Sequence, residues 1–145
     1  MPEIQINLTA VIVAVVANFV FGFVWFTFLF RNAWAREMGF DVNEQPERSA
    51  MTKGMILNLI GNFLLAWVLA HNIAVWDPQS WGLPPSDLSQ FASGGMAAFF
   101  TWLGFYVPIF LGTVAWEKRS WKLFGINASY HLLALLIVAN IITFM

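Results

Sequence analysis

The stretch INASYHLLALLIVANII, residues 126–142, is nearly all apolar but holds an amide, a phenol and an imidazole: Asn127, Tyr130 and His131. An imidazole can carry a proton or bind a ligand, a phenol donates or accepts, and an amide does both without charge. The other apolar stretches are interrupted in the same way by Asn18, Asn58, Asn62 and Thr101. An ionisable group in such a segment is by default a functional hypothesis. These seven residues are therefore the candidate set for binding a small molecule or passing an ion. The competing explanation is structural. Amides and hydroxyls bond across helices and fix their register, at about 0.6 kcal/mol per contact.

Other chemistries have less behind them. No Asp, Glu or Cys accompanies His131 in its stretch, so no metal site is expected. The chain has no cysteine, which excludes thiolate ligands, disulfides and cysteine nucleophiles. A haem held by His71 and His131 would need both at one depth, and they differ by about nine helical positions, or roughly 13 Å. A histidine-based hydrolase would need a nucleophile, for which Ser129 and Thr101 are candidates with nothing further behind them. No cofactor is predicted, and an enzyme is the weakest of the functional classes.

The elements that must position these residues follow from composition. Apolar residues make up 59% of the 145 and charged residues only 10%, against about 25% charged in soluble domains. Mean hydropathy is +0.69. The charges are segregated: none lies between Leu8 and Phe30, Gly54 and Val75, Leu88 and Trp116, or after Leu123. Each gap is about the 20 residues that cross a bilayer. The expected fold is all-α, a single integral membrane domain of four spans, about 8–30, 53–74, 91–115 and 123–145. The lipid bilayer is its first partner. A net charge of −1 suggests no nucleic-acid partner.

Orientation follows from the seven basic residues. Arg31, Arg36, Arg48 and Lys53 flank loop 31–52, and Lys118, Arg119 and Lys122 lie in or beside loop 116–122. The positive-inside rule then makes these two loops cytoplasmic and puts both termini and loop 75–90 outside, in a bacterial inner membrane. Trp34, Trp76, Trp81, Trp116 and Trp121 fall at span ends, as interfacial rings do, while Trp25, Trp67 and Trp102 are expected inside the bundle. A short helix is expected from Arg31 to Met38, ended at Gly39, then a turn over residues 41–50. Ser49 and Ser86 are expected to cap the helices that follow. Pro78, Pro84 and Pro85 make the outer loop extended.

Each span has one polar or small face at helical spacing. These faces are Asn18, Gly22, Trp25 and Leu29; Asn58, Gly61, Asn62 and Leu65; Gly94, Ala98, Thr101, Phe105, Pro108 and Gly112; and Asn127, Tyr130, His131, Ala134 and Val138. Pro108 should kink its span. By depth, Asn58 is level with Asn127 and Asn62 with His131, so one polar layer is expected through all four helices. Two Gly–Phe pairs, at 22–23 and 104–105, and the similar runs LLAWVLAHNI and LLALLIVANI suggest a duplicated helical hairpin. Polar residues on more than one side of the last span, Asn140 included, point to a homo-oligomer.

The blocks GFVWFTFLFRNAWAREMGF (22–40), WLGFYVP (102–108) and WKLFGINASYHLLALL (121–136) resemble the domain-of-unknown-function family 1761, small bacterial and fungal membrane proteins. The likeness rests on Gly22, Trp25, Phe30, Trp34 and Gly39, and on Trp121, Lys122, Asn127, Tyr130 and His131. Phe26 departs from the family's usual tyrosine, so a hydroxyl is not essential there. The resemblance implies a four-helix membrane protein and carries no mechanism. Function is thus held between a small-molecule or ion-passing protein, an accessory subunit of a larger complex, and an enzyme using His131 and Tyr130. Phe26, Phe28 and Trp102 are the expected contact surface of an accessory subunit.

Overall fold

The computed structural model describes residues 3–44 and 47–145, so Gln45 and Pro46 of the turn expected over 41–50 lie outside the described residues. Six α-helices follow in order: α1 Leu8–Val24, α2 Arg31–Met38, α3 Arg48–Trp76, α4 Gln90–Thr101, α5 Val107–Glu117 and α6 Trp121–Phe144. π-Helical turns at Trp25–Leu29 and Trp102–Tyr106 extend α1 and join α4 to α5. The result is four long rods, Leu8–Leu29, Arg48–Trp76, Gln90–Glu117 and Trp121–Phe144, each long and apolar enough to cross a membrane. No strand occurs among the described residues.

Side-chain caps start most of the rods. Asn7 accepts from the Ala10 N–H at 3.2 Å, and Ser120 accepts from the Leu123 N–H at 3.1 Å. The caps of the other two rods differ from expectation. Ser89, not Ser86, caps α4 by accepting from the Ala92 N–H at 3.2 Å; Ser86 accepts instead from the Leu88 N–H at 3.1 Å. Both serines make a short forward bond, and only the second falls where helical backbone begins. At α3 the cap position is Glu47, and Ser49 lies inside the first turn. The helix starts before the apolar run, since nothing in Arg48–Thr52 breaks it, and so carries Arg48 and Lys53 within it. Loop 75–90 is not wholly extended: Pro78–Trp81 forms a 3₁₀ turn, with Pro78 in its first turn and Asp77 accepting from the Gln79 N–H at 3.1 Å.

The ends of the bundle are tied separately. Asn7 Nδ2 donates to the Met145 carbonyl at 3.1 Å, and the Glu3 N–H donates to Ser80 O at 2.9 Å. Both termini and loop 75–90 therefore share one end. At the other end Ser120 Oγ donates to Glu37 Oε2 at 2.5 Å, and Lys122 Nζ stands 3.7 Å from Glu37 Oε1. That contact clips α2 to the start of α6.

α6 is the hub, packing on α1, α3 and α4. Small residues set the distance: Ala14, Ala66, Ala98 and Ala139 are all in the core, and small side chains let helices approach closely. Gly94 takes this furthest. A Cβ there would stand 2.9 Å from Thr143 Oγ1 and 3.2 Å from the Ala139 carbonyl oxygen. Most of this core belongs to the half of the bundle that holds the termini. Toward the other end α3 stands apart: every residue from Arg48 to Gly61 is exposed, and α5 has no buried residue, while α1 and α6 stay packed through Trp25 and Tyr130.

The two π-turns re-aim the odd rods. The Phe30 N–H reaches back to Trp25 O at 2.8 Å, an i→i+5 bond, and the Val107 N–H likewise bonds Trp102 O. Such a turn holds one extra residue, so the face beyond it rotates by one position. The faces expected from unbroken helical spacing are therefore wrong past each turn. Leu29 is 61% exposed and Phe30 takes its place, with its ring 4.5 Å from that of Trp25. Phe105 is 69% exposed and Tyr106 takes its place. Pro108 opens α5 just after the second turn, so the bond it cannot donate falls at the join. Both turns open on tryptophan, but aligning Trp25 with Trp102 does not align the two Gly–Phe pairs.

Candidate functional site

The amides of the first two rods meet. Asn18 Nδ2 donates to Asn62 Oδ1 at 2.8 Å, and Asn62 Nδ2 donates to Asn58 Oδ1 at 2.9 Å. Asn58 and Asn62 are one turn apart on α3, which is why the second bond forms. Asn18 is 2% exposed and Asn62 is also buried, whereas Asn58 is exposed. All the donors point one way, from the core outward. Bonds in such a chain polarise one another, and the chain ends on the Asn58 NH₂, which has no partner among the described residues. Asn18 Oδ1 is buried and also unpaired.

Tyr130 belongs to a different cluster. Its ring stacks on Phe21 with centroids 5.6 Å apart and 6° between planes, and lies 4.8 Å from Phe26 and 6.2 Å from Trp25. The hydroxyl reaches over Gly22, where an added Cβ would be only 2.7 Å away. Gly22 is therefore a glycine because Tyr130 uses the space. Trp25 is buried in this cluster with its Nε1 unpaired.

His131 faces yet another neighbour. Its ring stacks on Tyr106 at 4.6 Å and on Phe110 at 5.3 Å, both on the third rod. The reason is angular: successive helical residues are about 100° apart, so Tyr130 and His131 cannot serve the same partner. Asn127 and Thr101 are both half-buried, and neither makes a side-chain hydrogen bond among the described residues. The seven candidates therefore sort into an amide chain, a tyrosine cluster and a histidine stack, with Asn127 and Thr101 apart. Spacing places residues at a depth, but not on the helix that they will touch.

The remaining polar groups mostly satisfy themselves locally. Ser129 Oγ donates to the Gly125 carbonyl of its own helix. Asn140 Nδ2 donates to Leu136 O at 2.8 Å, and His71 Nδ1 bonds Trp67 O at 2.8 Å. Trp102 turns inward, with Nε1 donating to Ala128 O at 2.8 Å. Phe26 also packs inward, on Tyr130 and Trp34. Of the three aromatics expected to form a contact surface, Phe28 alone is exposed, at 70%. Tyr106 and Phe110 were missed as partners of His131. Their one-turn spacing was visible in the sequence, but the π-turn that aims them at α6 was not. Among the described residues no three of His, Asp and Glu stand close enough to hold a metal ion.

An aromatic cluster built on Gly22, Trp25, Phe30 and Tyr130 is the combination that carried the likeness in the sequence. Residues 9–143 match the family described as "Protein of unknown function (DUF1761)". The chain belongs to that family. The match covers nearly the whole chain, so DUF1761 accounts for all four rods and the connections between them. Comparison with curated proteins and with solved structures returned no match. Membership in DUF1761 supplies no activity, which is left to be argued from geometry.

Proposed function

We propose that this protein is an integral membrane protein that acts by association between helices, and that it assembles with a second copy of itself through α3. The single observation that carries the reading is the Arg48–Gly61 half of α3. It is exposed on every side, it ends the amide chain at Asn58, and it carries Gly54 and Gly61 where an added Cβ would meet nothing within 4 Å. Packing within one chain does not require those glycines. They bare the backbone on either side of Asn58. Small residues flanking a polar one make a close helix contact. An amide both donates and accepts, so two copies of Asn58 related by a twofold axis satisfy each other.

The threading is part of the proposal: a bacterial inner membrane, both termini outside, loops 31–52 and 116–122 in the cytoplasm. The grouping of both termini with the outer loop supports it, as does the presence of all the basic residues toward the other end. The reading in which a ligand or ion passes through the polar layer is weaker. Asn18 and Asn62 bond each other, and Tyr130 and His131 are stacked among rings.

The test is the mass of the protein in detergent or nanodiscs. The wild type should be a dimer, and Asn58→Leu should weaken association about tenfold, the scale of one good polar contact in a membrane. Gly54→Leu should weaken it too, and since its side chain meets nothing in the protomer, loss of folding cannot explain the result. A wild-type monomer at all concentrations would remove the proposal.

A further inference from the structure

α2 separates its charges. Glu37 is turned to the start of α6, where Ser120 and Lys122 engage it. Arg31 and Arg36 instead line a groove beside α2, and neither has a carboxylate within 4.0 Å among the described residues. The groove exists because the chain turns back. Gly39 takes φ +77°, a left-handed conformation that glycine adopts freely. The Phe40 N–H then donates to Ala35 O at 2.9 Å, and the Phe40 ring lies 5.7 Å from that of Trp34. Arg31 Nη2 donates to the Val42 carbonyl at 3.2 Å, which fastens the returning strand of chain. The space is an open groove of about 540 Å³, lined by both arginines, Asn32, Phe40, Asp41 and Asn43, all exposed.

Guanidinium groups bind phosphate through paired, charge-assisted hydrogen bonds. A bare phosphate would fill little of a groove of this volume. The lining also holds a carboxylate. Asp41 Oδ1 accepts from the Asn43 N–H at 2.8 Å and is fixed there. Beside two arginines it disfavours a second anion and favours hydroxyl donors. Phe40 supplies an apolar wall. α2 begins one residue past the first long rod, which is where headgroups lie if that rod spans a bilayer.

The geometry points to a binding site for the headgroup of an anionic phospholipid: its phosphate on Arg31 and Arg36, and a headgroup hydroxyl on Asp41. The inference rests on the reading of the chain as membrane-spanning and is independent of its assembly through α3.

The experiment uses the full chain purified in detergent, with native mass spectrometry and thermal unfolding in the presence of phosphatidylglycerol, phosphatidylcholine or inorganic phosphate. Phosphatidylglycerol adducts should persist and raise the unfolding temperature, while phosphatidylcholine does neither. Arg36→Gln should weaken phosphatidylglycerol about fivefold, and Arg31→Gln with Arg36→Gln about thirtyfold. Arg119→Gln, which removes a residue paired with Glu117 at 3.8 Å, should leave binding intact. If the double variant does not fold, Arg36→Gln alone decides, because Arg36 does not fasten the loop. Equal binding of the two lipids, or unchanged binding in Arg36→Gln, would overturn the site. Displacement of phosphatidylglycerol by an equal concentration of inorganic phosphate would overturn the lipid as its source. Release of the protein from vesicles by alkaline carbonate would overturn the membrane reading and the lipid source with it, whereas the lipid comparisons leave that reading standing whichever way they fall.

Discussion

Gly94→Leu should cost this protein its fold, while Gly95→Ala, one residue on, should leave it intact or firmer. The two glycines are neighbours on α4 but face different surroundings. A Cβ at Gly94 would stand 2.9 Å from Thr143 Oγ1, 3.2 Å from the Ala139 carbonyl oxygen and 3.3 Å from its carbon. The threonine could rotate away. The backbone of α6 cannot, unless the two helices separate along a contact that includes Ala98 and Ala139. Even Gly94→Ala should cost about 1–3 kcal/mol, the usual penalty for an overfilled core, and leucine multiplies the clash. At Gly95 a Cβ would meet nothing within 4 Å. Alanine there removes a flexible residue from a helix interior and should gain about 0.5–1 kcal/mol. Thermal unfolding in detergent, followed by circular dichroism, checks both. Equal behaviour of the two positions would contradict the packing described for α4 and α6.

The second large effect should change sign with the partner. Gly22→Ala in the wild type places a Cβ 2.7 Å from the Tyr130 hydroxyl. That hydroxyl is the end of a side chain, but the ring behind it is wedged against Phe21, Trp25 and Phe26. The tyrosine has no free rotation with which to yield. The substitution should cost about 1–3 kcal/mol. In a Tyr130→Phe background the oxygen is gone, and the nearest ring atoms would lie 3.5 and 3.6 Å from the new methyl. These are ordinary contacts. Gly22→Ala should then be neutral or stabilising, since alanine is the better helix former by about 1 kcal/mol. The four proteins form a double-mutant cycle, and a coupling near zero would mean that Tyr130 does not occupy the space over Gly22.

These two glycines show how far the sequence could be read. The four rods were legible because each holds a long run without charge, and α2 was legible because Gly39 ends it. That Gly22 and Tyr130 touch was not legible, since spacing along one helix gives a face and a depth but no partner. The π-turns were hidden for a similar reason. Nothing in WFTFL or WLGFY breaks α-helical spacing, yet one extra residue in each turn exchanges Leu29 for Phe30 and Phe105 for Tyr106 as the inward side chain. Of the polar layer expected from depth, Asn18 and Asn62 do meet. The division of the candidates among an amide chain, a tyrosine cluster and a histidine stack depends on helix rotation, which aims adjacent residues such as Tyr130 and His131 about 100° apart.

Asn58 is where the sequence and the structure bear most directly on function. The amide chain from Asn18 could have closed on itself inside the core. It runs instead to an exposed residue between two glycines, on a half-helix that no other described part of the chain covers. The proposed assembly through α3 would place a second chain there.

The most direct measurement is a cysteine scan of α3, and the lack of any native cysteine leaves it free of background. Single substitutions Ala50→Cys, Gly54→Cys, Asn58→Cys and Gly61→Cys lie on the proposed contact face, all at exposed positions; Ile56→Cys, Leu59→Cys and Phe63→Cys lie off it. Oxidation in native membranes should join two copies efficiently at the first four positions and poorly at the other three. Equal cross-linking at all seven positions, or none at any, would contradict assembly through this face.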